Sequence, residues 1–270
     1  MKILIVNLIL SFALFTSCAN KALPNDPIPK HDSLTISSQI LKEDRVINIW
    51  TPSNYQSTND SLPVLYMPDG GVKEDFPHIA NTLDKLLKAG KIKPVMLVGI
   101  ENTQRKRDLT GFTNVEEDKK IADEIGKSDN FRAFILTELM PEINKKYRTT
   151  SEKGIIGESL AGLFVMETFL LKPSDFDFYI AFDPSLWWNN HNYDKNATKY
   201  LQNLPEKNTK VWFATSSAEG MSGAGKNLEN SFKKIPSSKL TWKYEDKPSE
   251  QHNTIFRAAK EEAISWTLKP

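Results

Sequence analysis

A serine in a tight turn is the residue of this chain best placed to do chemistry. Residues 157–162 read Gly-Glu-Ser-Leu-Ala-Gly and follow the apolar run 154–156. A short buried strand, a Gly-x-Ser-x-small turn and an apolar helix together predict a strained turn that exposes the Ser159 hydroxyl at the end of a sheet. The N–H of Leu160 would begin the helix and point at the reacting atom. We predict that Ser159 is a nucleophile.

A serine hydroxyl is a weak nucleophile and needs a neighbouring base, for which histidine is the usual choice. The chain has four histidines. His31 lies near the N-terminus, and His78 precedes the serine although the base follows it in sites of this kind. His191 comes too early unless the acid is earlier still. His252 lies between the last predicted strand and the last predicted helix, so we predict that it is the base.

The acid that orients the histidine is less clearly indicated. It should follow a late strand and lie between the serine and the histidine in sequence. Glu219 follows the penultimate predicted strand and is the preferred candidate. Asp183, directly after the strand at 178–182, is its rival, and Glu250 is more typical of a solvated charge. A Ser-His dyad with a weak third partner is also compatible with the sequence.

A pair of glycines indicates where an oxyanion could be held. Residues 68–71 read Pro-Asp-Gly-Gly and end a buried strand, a position from which backbone N–H groups can support a developing negative charge. Consecutive glycines allow close approach of a substrate. We predict Gly70 or Gly71 as a donor beside Leu160, although Asp-Gly would also make a plain turn.

The elements that must position these residues alternate along the chain. Buried or alternating apolar runs predict strands, and apolar residues at helical spacing predict helices. This order indicates an α/β domain with a mostly parallel central sheet. The predicted strands are 45–50, 63–67, 93–100, 154–156, 178–182, 210–215 and 240–244; the predicted helices are 78–89, 130–147, 160–171 and about 254–268.

Composition excludes several other classes of protein. The chain has 270 residues, 39% of them hydrophobic, and a net charge of +1 with acidic and basic residues intermixed. No repeat or long linker follows residue 30, so we expect a single domain. Nothing indicates a nucleic-acid groove or a polybasic membrane surface. One cysteine and four scattered histidines form no ligand cluster, so we expect neither a metal nor another cofactor.

The N-terminus predicts export. A positive start and a short apolar core over residues 1–17 are typical of a signal peptide, too short to span a membrane. The segment ends at Phe-Thr-Ser-Cys, which resembles a bacterial lipobox with Cys18 as the lipidated residue. We expect a periplasmic or cell-surface lipoprotein with a tether over 18–35 and the domain over 36–270. Ordinary cleavage near residues 17–19, giving a soluble secreted protein, is the alternative.

Together these motifs resemble the esterase D-like α/β-hydrolases, and most closely their branch near the enterochelin- and salmochelin-type trilactone esterases. The resemblance implies an α/β-hydrolase fold with helices on both faces of the sheet, Ser159 as nucleophile and His252 as base. Members of this branch differ in whether a third residue is needed. Ala161 stands where glycine is more usual, and Glu158 where histidine is common. The matching segments are 64–70, 105–110, 134–147, 157–163, 183–188 and His252.

The same relatives often carry an arginine near the reacting centre, in a segment that here includes Arg107. By this resemblance Arg107 would bind an anionic or catecholate part of a substrate. A loop-fixing ion pair with Asp108 is the alternative and is slightly favoured. Trp187 and Trp188 could form a stacking wall above the site, but paired tryptophans after a strand more often fill a core.

The resulting expectation is a serine carboxylic-ester hydrolase that works through an acyl-enzyme. Siderophore trilactones are among the expected substrates. Feruloyl or acetyl esterase action on carbohydrates and acyl transfer on the same machinery are the alternatives, and a catalytically silent binding lipoprotein is the rival of another class. The expected partner is a small-molecule or saccharide ester, with membrane contact only through Cys18; the sequence does not indicate an oligomeric state.

Overall fold

The computed structural model describes residues 26–270 except 203, 236, 237 and 239. These residues form one eight-stranded sheet in the order β1-β2-β4-β3-β5-β6-β7-β8. The first two pairings, β1 with β2 and β2 with β4, are antiparallel, and the others are parallel. The strands are β1 Asp32–Ser38, β2 Glu43–Trp50, β3 Leu62–Pro68, β4 Met96–Ile100, β5 Thr149–Glu158, β6 Phe178–Phe182, β7 Thr209–Ser216 and β8 Leu240–Lys247.

Helices cover both faces of this sheet, and two apolar clusters fill the space beneath them. One face packs against α1 and α9, the other against α3, α5 and α8. A π-helical segment, Ile135–Leu139, joins α3 to α4. The helices are α1 Phe76–Lys88, α2 Arg105–Leu109, α3 Ser128–Phe134, α4 Met140–Lys146, α5 Leu160–Leu171, α6 Trp188–Lys195, α7 Ala197–Leu201, α8 Met221–Phe232 and α9 Ile255–Thr267.

The apolar pattern of each element matches its surroundings. Every residue of β3 is buried, as a parallel strand with helices on both faces requires. Its side chains alternate between the two clusters, with Val64 and Tyr66 in one and Leu65 and Met67 in the other. Helix α5 is buried along nearly its whole length, so its N-terminus is held firmly at the carboxyl end of the sheet.

The predicted α/β-hydrolase fold class is confirmed, with one change at the start of the domain. Residues 32–35, expected in the tether, belong to β1, which pairs with β2 along seven residues. Asp26, further upstream, contacts Arg257 of α9. The predicted signal peptide, Cys18 and the first part of the tether lie outside the described residues. Among the residues described, no helix is long and apolar enough to cross a bilayer.

Candidate active site

The turn around Ser159 holds this residue in a backbone conformation that L-amino acids rarely adopt. Its φ is 61° and its ψ −121°, and its N–H donates to the Phe182 carbonyl oxygen at 3.0 Å. A Cβ on Gly157 would lie 2.6–2.7 Å from backbone and side-chain atoms of Ala161, so only glycine fits there. The methyl group of Ala161 is accommodated. The strained turn therefore places Ser159, half-exposed, between the end of β5 and the start of α5.

His252 joins Ser159 to a buried carboxylate. Its Nε2 lies 3.0 Å from Ser159 Oγ, and its Nδ1 lies 3.0 Å from Asp183 Oδ2. An ionised carboxylate only accepts hydrogen bonds, so the ring proton belongs on Nδ1 and Nε2 is free to accept from the serine hydroxyl. Serine, histidine and acid thus form a continuous hydrogen-bonded chain of the kind that activates a nucleophile.

Asp183, not Glu219, is the acid in contact with His252, which corrects the preference drawn from the sequence. β6 lies directly beside β5, so the residue that ends β6 comes next to the serine turn. Asp183 is fully buried, and its carboxylate accepts from the N–H and the Oγ–H of Ser216, both at 2.6 Å. Glu219 is exposed beyond the end of β7. The nearer strand, rather than the penultimate one, supplies the acid.

The charges around His252 favour its protonated form. The hydrogen bond to Asp183 raises the pKa of the imidazole, and the negative charges of Glu158 and Asp183 act in the same direction. Burial and the charge of Arg105 oppose this shift, but the net direction is upward. A base whose pKa lies above the ordinary value of 6.5 accepts a proton from serine more readily, since its cation is stabilised on formation.

Of the predicted oxyanion donors, only Leu160 stands at a helix start. It is the first residue of α5, where backbone N–H groups have no acceptor within the helix. The Gly70 N–H donates to the Ile100 carbonyl oxygen at 2.9 Å, which extends the pairing of β3 with β4. The Gly71 N–H donates to Glu74 Oε2 at 2.7 Å. Gly70 is therefore unsuited to the predicted role, and Gly71 is occupied by a side chain.

Arg105 and Asp69 form a charged pair that is not among the predicted site residues. Asp69 has a φ of 57° and follows β3, and Arg105 donates to it twice, each time at 2.7 Å. The charge of Glu158, the residue before Ser159, also acts on Arg105. The sequence signal that could have indicated Arg105 is its place in the segment 105–110, which carries the family resemblance and also contains Arg107. Both arginines belong to the short helix α2.

Arg107 itself is committed to structural ion pairs. Its Nε donates to Asp108 Oδ1 at 2.7 Å, and its two terminal nitrogens donate to Glu43 at 2.7 and 3.2 Å. Asp108 is bound in turn by the fully buried Arg45. The expectation that Arg107 faces a substrate is therefore corrected. The alternative of a loop-fixing ion pair describes what the structure contains, extended to β2 by Glu43.

The two tryptophans after β6 have different environments. Trp188 is fully buried, and its Nε1 donates to the Gly111 carbonyl oxygen at 2.9 Å, so it fills the core. Trp187 is 38% exposed and lies two residues after Ser185, whose N–H donates to the Ser159 carbonyl oxygen. Phe112, next to Gly111, is 71% exposed. Two exposed aromatic rings thus come from segments tied to one another near Ser159.

A left-handed turn follows this tryptophan pair. Asn189, Asn190 and His191 have φ values of 50°, 54° and 61°, an unusual run for residues other than glycine. The Asn189 N–H donates to the buried carboxylate of Asp118 at 2.8 Å, and Thr113 donates to the same oxygen at 2.6 Å. Asp118 therefore connects this turn to the segment that carries Phe112.

Two other features of the described residues bear on the site. No group of three or more His, Cys, Asp or Glu side chains within them is arranged to hold a metal ion. A cavity of about 470 Å³ lies at the opposite end of β3 and β5, lined among others by Val64, Thr150 and Lys153. This cavity does not touch the serine turn.

Comparison with known proteins places the chain in a family. Residues 38–269 match the model of the family described as "Putative esterase". The ferri-bacillibactin esterase BesA of Bacillus subtilis is 35% identical over 134 residues, which cover 45% of this chain and 46% of BesA. The chain thus spans about half the length of BesA in that alignment. An uncharacterized protein of the same bacterium, YbbA, is 24% identical over 179 residues, covering 65% of this chain and 69% of YbbA.

A solved structure supports the same fold. An IroE-like serine hydrolase from Shewanella oneidensis superimposes with a TM-score of 0.80 at 24% identity. The superposition covers 88% of this chain and 80% of that protein.

Proposed function

We propose that this chain, which belongs to the "Putative esterase" family and is a carboxylic ester hydrolase, works through a covalent acyl intermediate on Ser159. One observation carries the proposal. The imidazole of His252 lies 3.0 Å from both Ser159 Oγ and Asp183 Oδ2, so the base is in place and oriented before any substrate arrives. The resemblance to siderophore esterases supports the same reaction class.

In the first half of the reaction Ser159 Oγ attacks the ester carbonyl carbon while its proton moves to His252 Nε2. The carbonyl oxygen becomes negative and is stabilised by the Leu160 N–H and the field of the α5 N-terminus. The tetrahedral intermediate then collapses with cleavage of the C–O bond. The proton on Nε2 passes to the leaving alcohol, and the acyl group stays on the serine.

In the second half a water molecule attacks the acyl-serine. His252 Nε2 takes a proton from the water and returns it to Ser159 as the carboxylic acid departs. Asp183 remains ionised throughout. It holds the ring with Nδ1–H toward itself and stabilises the imidazolium that forms in each half-reaction.

Replacing the nucleophile tests this mechanism. Ser159→Ala should lower kcat for a short-chain p-nitrophenyl ester by about 10⁴–10⁶-fold, since the covalent path is lost. Ser151→Ala is the matched control, because Ser151 is exposed at the other end of the same strand and should leave kcat unchanged. Equal hydrolysis by the Ser159→Ala variant and the wild type would contradict the proposal. Diversion of the acyl group to an added alcohol would instead identify the enzyme as an acyltransferase.

We propose an ester with an aromatic group, such as a catecholate siderophore, as the substrate. Two relatives are named as siderophore esterases, and the exposed rings of Trp187 and Phe112 lie on segments around Ser159. Aromatic side chains stack on aromatic ligands and gain about 0.5–1.5 kcal/mol beyond area burial. The same rings suit a feruloyl ester, which is the second candidate, and offer nothing specific to an acetyl group.

A panel of substrates distinguishes these candidates. Enterobactin-like lactones, feruloyl sugars and acetylated xylan are compared by kcat/KM, with the Ser159→Ala variant as the blank. Aromatic esters should be preferred over acetylated xylan. A preference for the acetyl ester would contradict the aromatic proposal while leaving the serine mechanism intact.

Export and a lipid anchor on Cys18 are proposed from the sequence alone. Removal of the signal peptide should increase the electrophoretic mobility of the protein, and globomycin should prevent that increase. Labelled palmitate should be incorporated into the wild type but not into Cys18→Ser. Both results would support lipidation. Recovery of wild-type protein only in the soluble fraction without label would contradict it.

A further inference from the structure

Gly71, the better of the two predicted glycine donors, already has an acceptor within the protein. Its N–H donates to Glu74 Oε2 at 2.7 Å, while the other oxygen of Glu74 accepts from Asn102 Nδ2 at 2.9 Å. A Cβ on Gly71 would lie 2.9 Å from Glu74 Oε2. The carboxylate therefore packs directly on the glycine and already accepts from the N–H that an oxyanion would use.

The position of this contact relates it to the nucleophile. Gly71 follows β3 and Ser159 follows β5, and these strands are parallel neighbours whose carboxyl ends meet at one edge of the sheet. Gly70 cannot replace Gly71, because its N–H is bonded to the backbone of β4. The hydrogen bond from the Gly71 N–H goes instead to a side chain. Glu74 is of intermediate exposure, so its carboxylate can rotate away without breaking the sheet.

Burial, together with a neighbouring negative charge, disfavours the ionised form of Glu74. Burial and the negative charge of Asp69 raise the pKa of Glu74 to about 7, against the opposing hydrogen bonds from Gly71 and Asn102. Asp69 is itself paired with Arg105 of α2. Glu101 follows β4 and lies on another side of Gly71. A Cβ on Gly71 would also be 2.9 Å from Glu101 Cγ.

We propose that Glu74 is a positioning residue that blocks the second oxyanion donor when ionised and releases the Gly71 N–H when it is protonated or displaced by substrate. This inference rests on the proposed function, because it gives Gly71 a role in the same serine mechanism. Protonation weakens the contact since a hydrogen bond to a neutral carboxyl group is roughly half as strong as one to a carboxylate.

His252 and Glu74 would both have to be neutral, and this places opposite demands on the pH. His252 must be neutral to accept the serine proton, which favours pH values above its raised pKa. Glu74 must be neutral to release Gly71, which favours pH values below about 7. The activity should therefore fall on both sides of an optimum, with Glu74 responsible for the alkaline side.

The hydrogen bond from the Gly71 N–H to Glu74 is tested first, in a variant that lacks the proposed nucleophile. In the Ser159→Ala protein the ¹⁵N amide resonance of Gly71 should titrate near pH 7, and Glu74→Gln should abolish this titration while the His252 ring continues to titrate. Failure of the proposed serine mechanism leaves this measurement unaffected. A Gly71 resonance that is independent of pH, or that titrates equally in Glu74→Gln, would overturn the inference.

The consequence for catalysis is tested by pH profiles of kcat/KM in the otherwise wild-type enzyme. Above pH 8 the wild type should lose about 10- to 100-fold of its optimum, the range expected for displacing a hydrogen bond to a charged group, and Glu74→Gln and Glu74→Ala should retain theirs. Glu101→Gln is the matched control and should keep the wild-type profile, since that carboxylate does not accept from Gly71. The proposal would be overturned if kcat/KM still fell above pH 8 in Glu74→Gln. It would also be overturned if both Glu74 variants lost activity equally at every pH, since Glu74 would then have only a structural role.

Discussion

The two halves of the candidate site differ in their state of readiness. On one side Ser159, His252 and Asp183 are already in hydrogen-bonding contact, with Asp183 held by both donors of Ser216. On the other side the loop after β3 has its N–H groups engaged, that of Gly70 with the Ile100 backbone and that of Gly71 with Glu74. Under the proposed mechanism the nucleophile is assembled in advance, whereas part of the oxyanion site has to be released.

This difference follows from the kind of partner each half uses. Asp183 lies at the end of β6, fully buried and anchored to β7, so its position is fixed by the sheet. Glu74 belongs to the loop before α1 and is only partly buried. An enzyme can therefore keep its proton-transfer chain rigid while one electrostatic contact remains adjustable.

Breaking the assembled half should have the largest effect. Asp183→Asn should lower kcat by about 10⁴-fold, because an amide in this place favours the wrong ring tautomer of His252. It should also move the acidic limb of the pH profile to lower pH, since the hydrogen bond that raises the pKa of His252 is lost. Glu219→Gln, at the exposed position, should match the wild type. A larger loss in Glu219→Gln than in Asp183→Asn would reverse the assignment of the acid.

Adding a methyl group to each glycine sharpens the contrast within the other half. In Gly70→Ala the new Cβ would lie 2.2 Å from the Ile100 nitrogen, so the backbone of β4 must shift and unfolding in urea should become easier by about 1–3 kcal/mol. In Gly71→Ala the obstacles are the side chains of Glu74 and Glu101, which can move. A smaller destabilisation is expected there. Equal destabilisation would indicate that Glu74 is as firmly held as the sheet.

The smallest effect is expected from the charge of Glu158. This carboxylate raises the pKa of His252 less than the hydrogen bond that the imidazole donates to Asp183 does. Glu158→Gln should therefore move the acidic limb of kcat/KM to lower pH, in the same direction as Asp183→Asn but by less, with little change in kcat at neutral pH. A shift to higher pH would mean that Glu158 acts on the imidazole through some other contact.

Much of the framework is readable from the sequence because its signals are local. Helix α5 begins and ends where the predicted helix does, and β6 has the predicted bounds. The serine turn is recognisable because small residues must flank Ser159. β1 carries no such signal, because it is an edge strand with mostly exposed residues and its sequence lacks the apolar run of a central strand.

The partners within the site depend on features that the sequence does not display. The choice of Asp183 over Glu219 follows from the order of strands in the sheet, which sets β6 beside β5. The loss of Gly70 as a donor depends on the register between β3 and β4, and that of Gly71 on one rotamer of Glu74. For Arg107 the sequence favours the neighbouring Asp108 as an ion-pair partner, but it does not display Glu43, which is 64 residues away in sequence.

The left-handed turn at 189–191 has a consequence for the cost of binding. Asp118 ties it to the segment that carries Phe112, and the first of its residues lies two positions after Trp187. Aromatic rings on segments fixed in this way lose less conformational entropy when a ligand stacks against them than rings on mobile loops do. Asp118, which contacts neither the nucleophile nor its base, would thus contribute to affinity by keeping the two rings ordered in the absence of substrate.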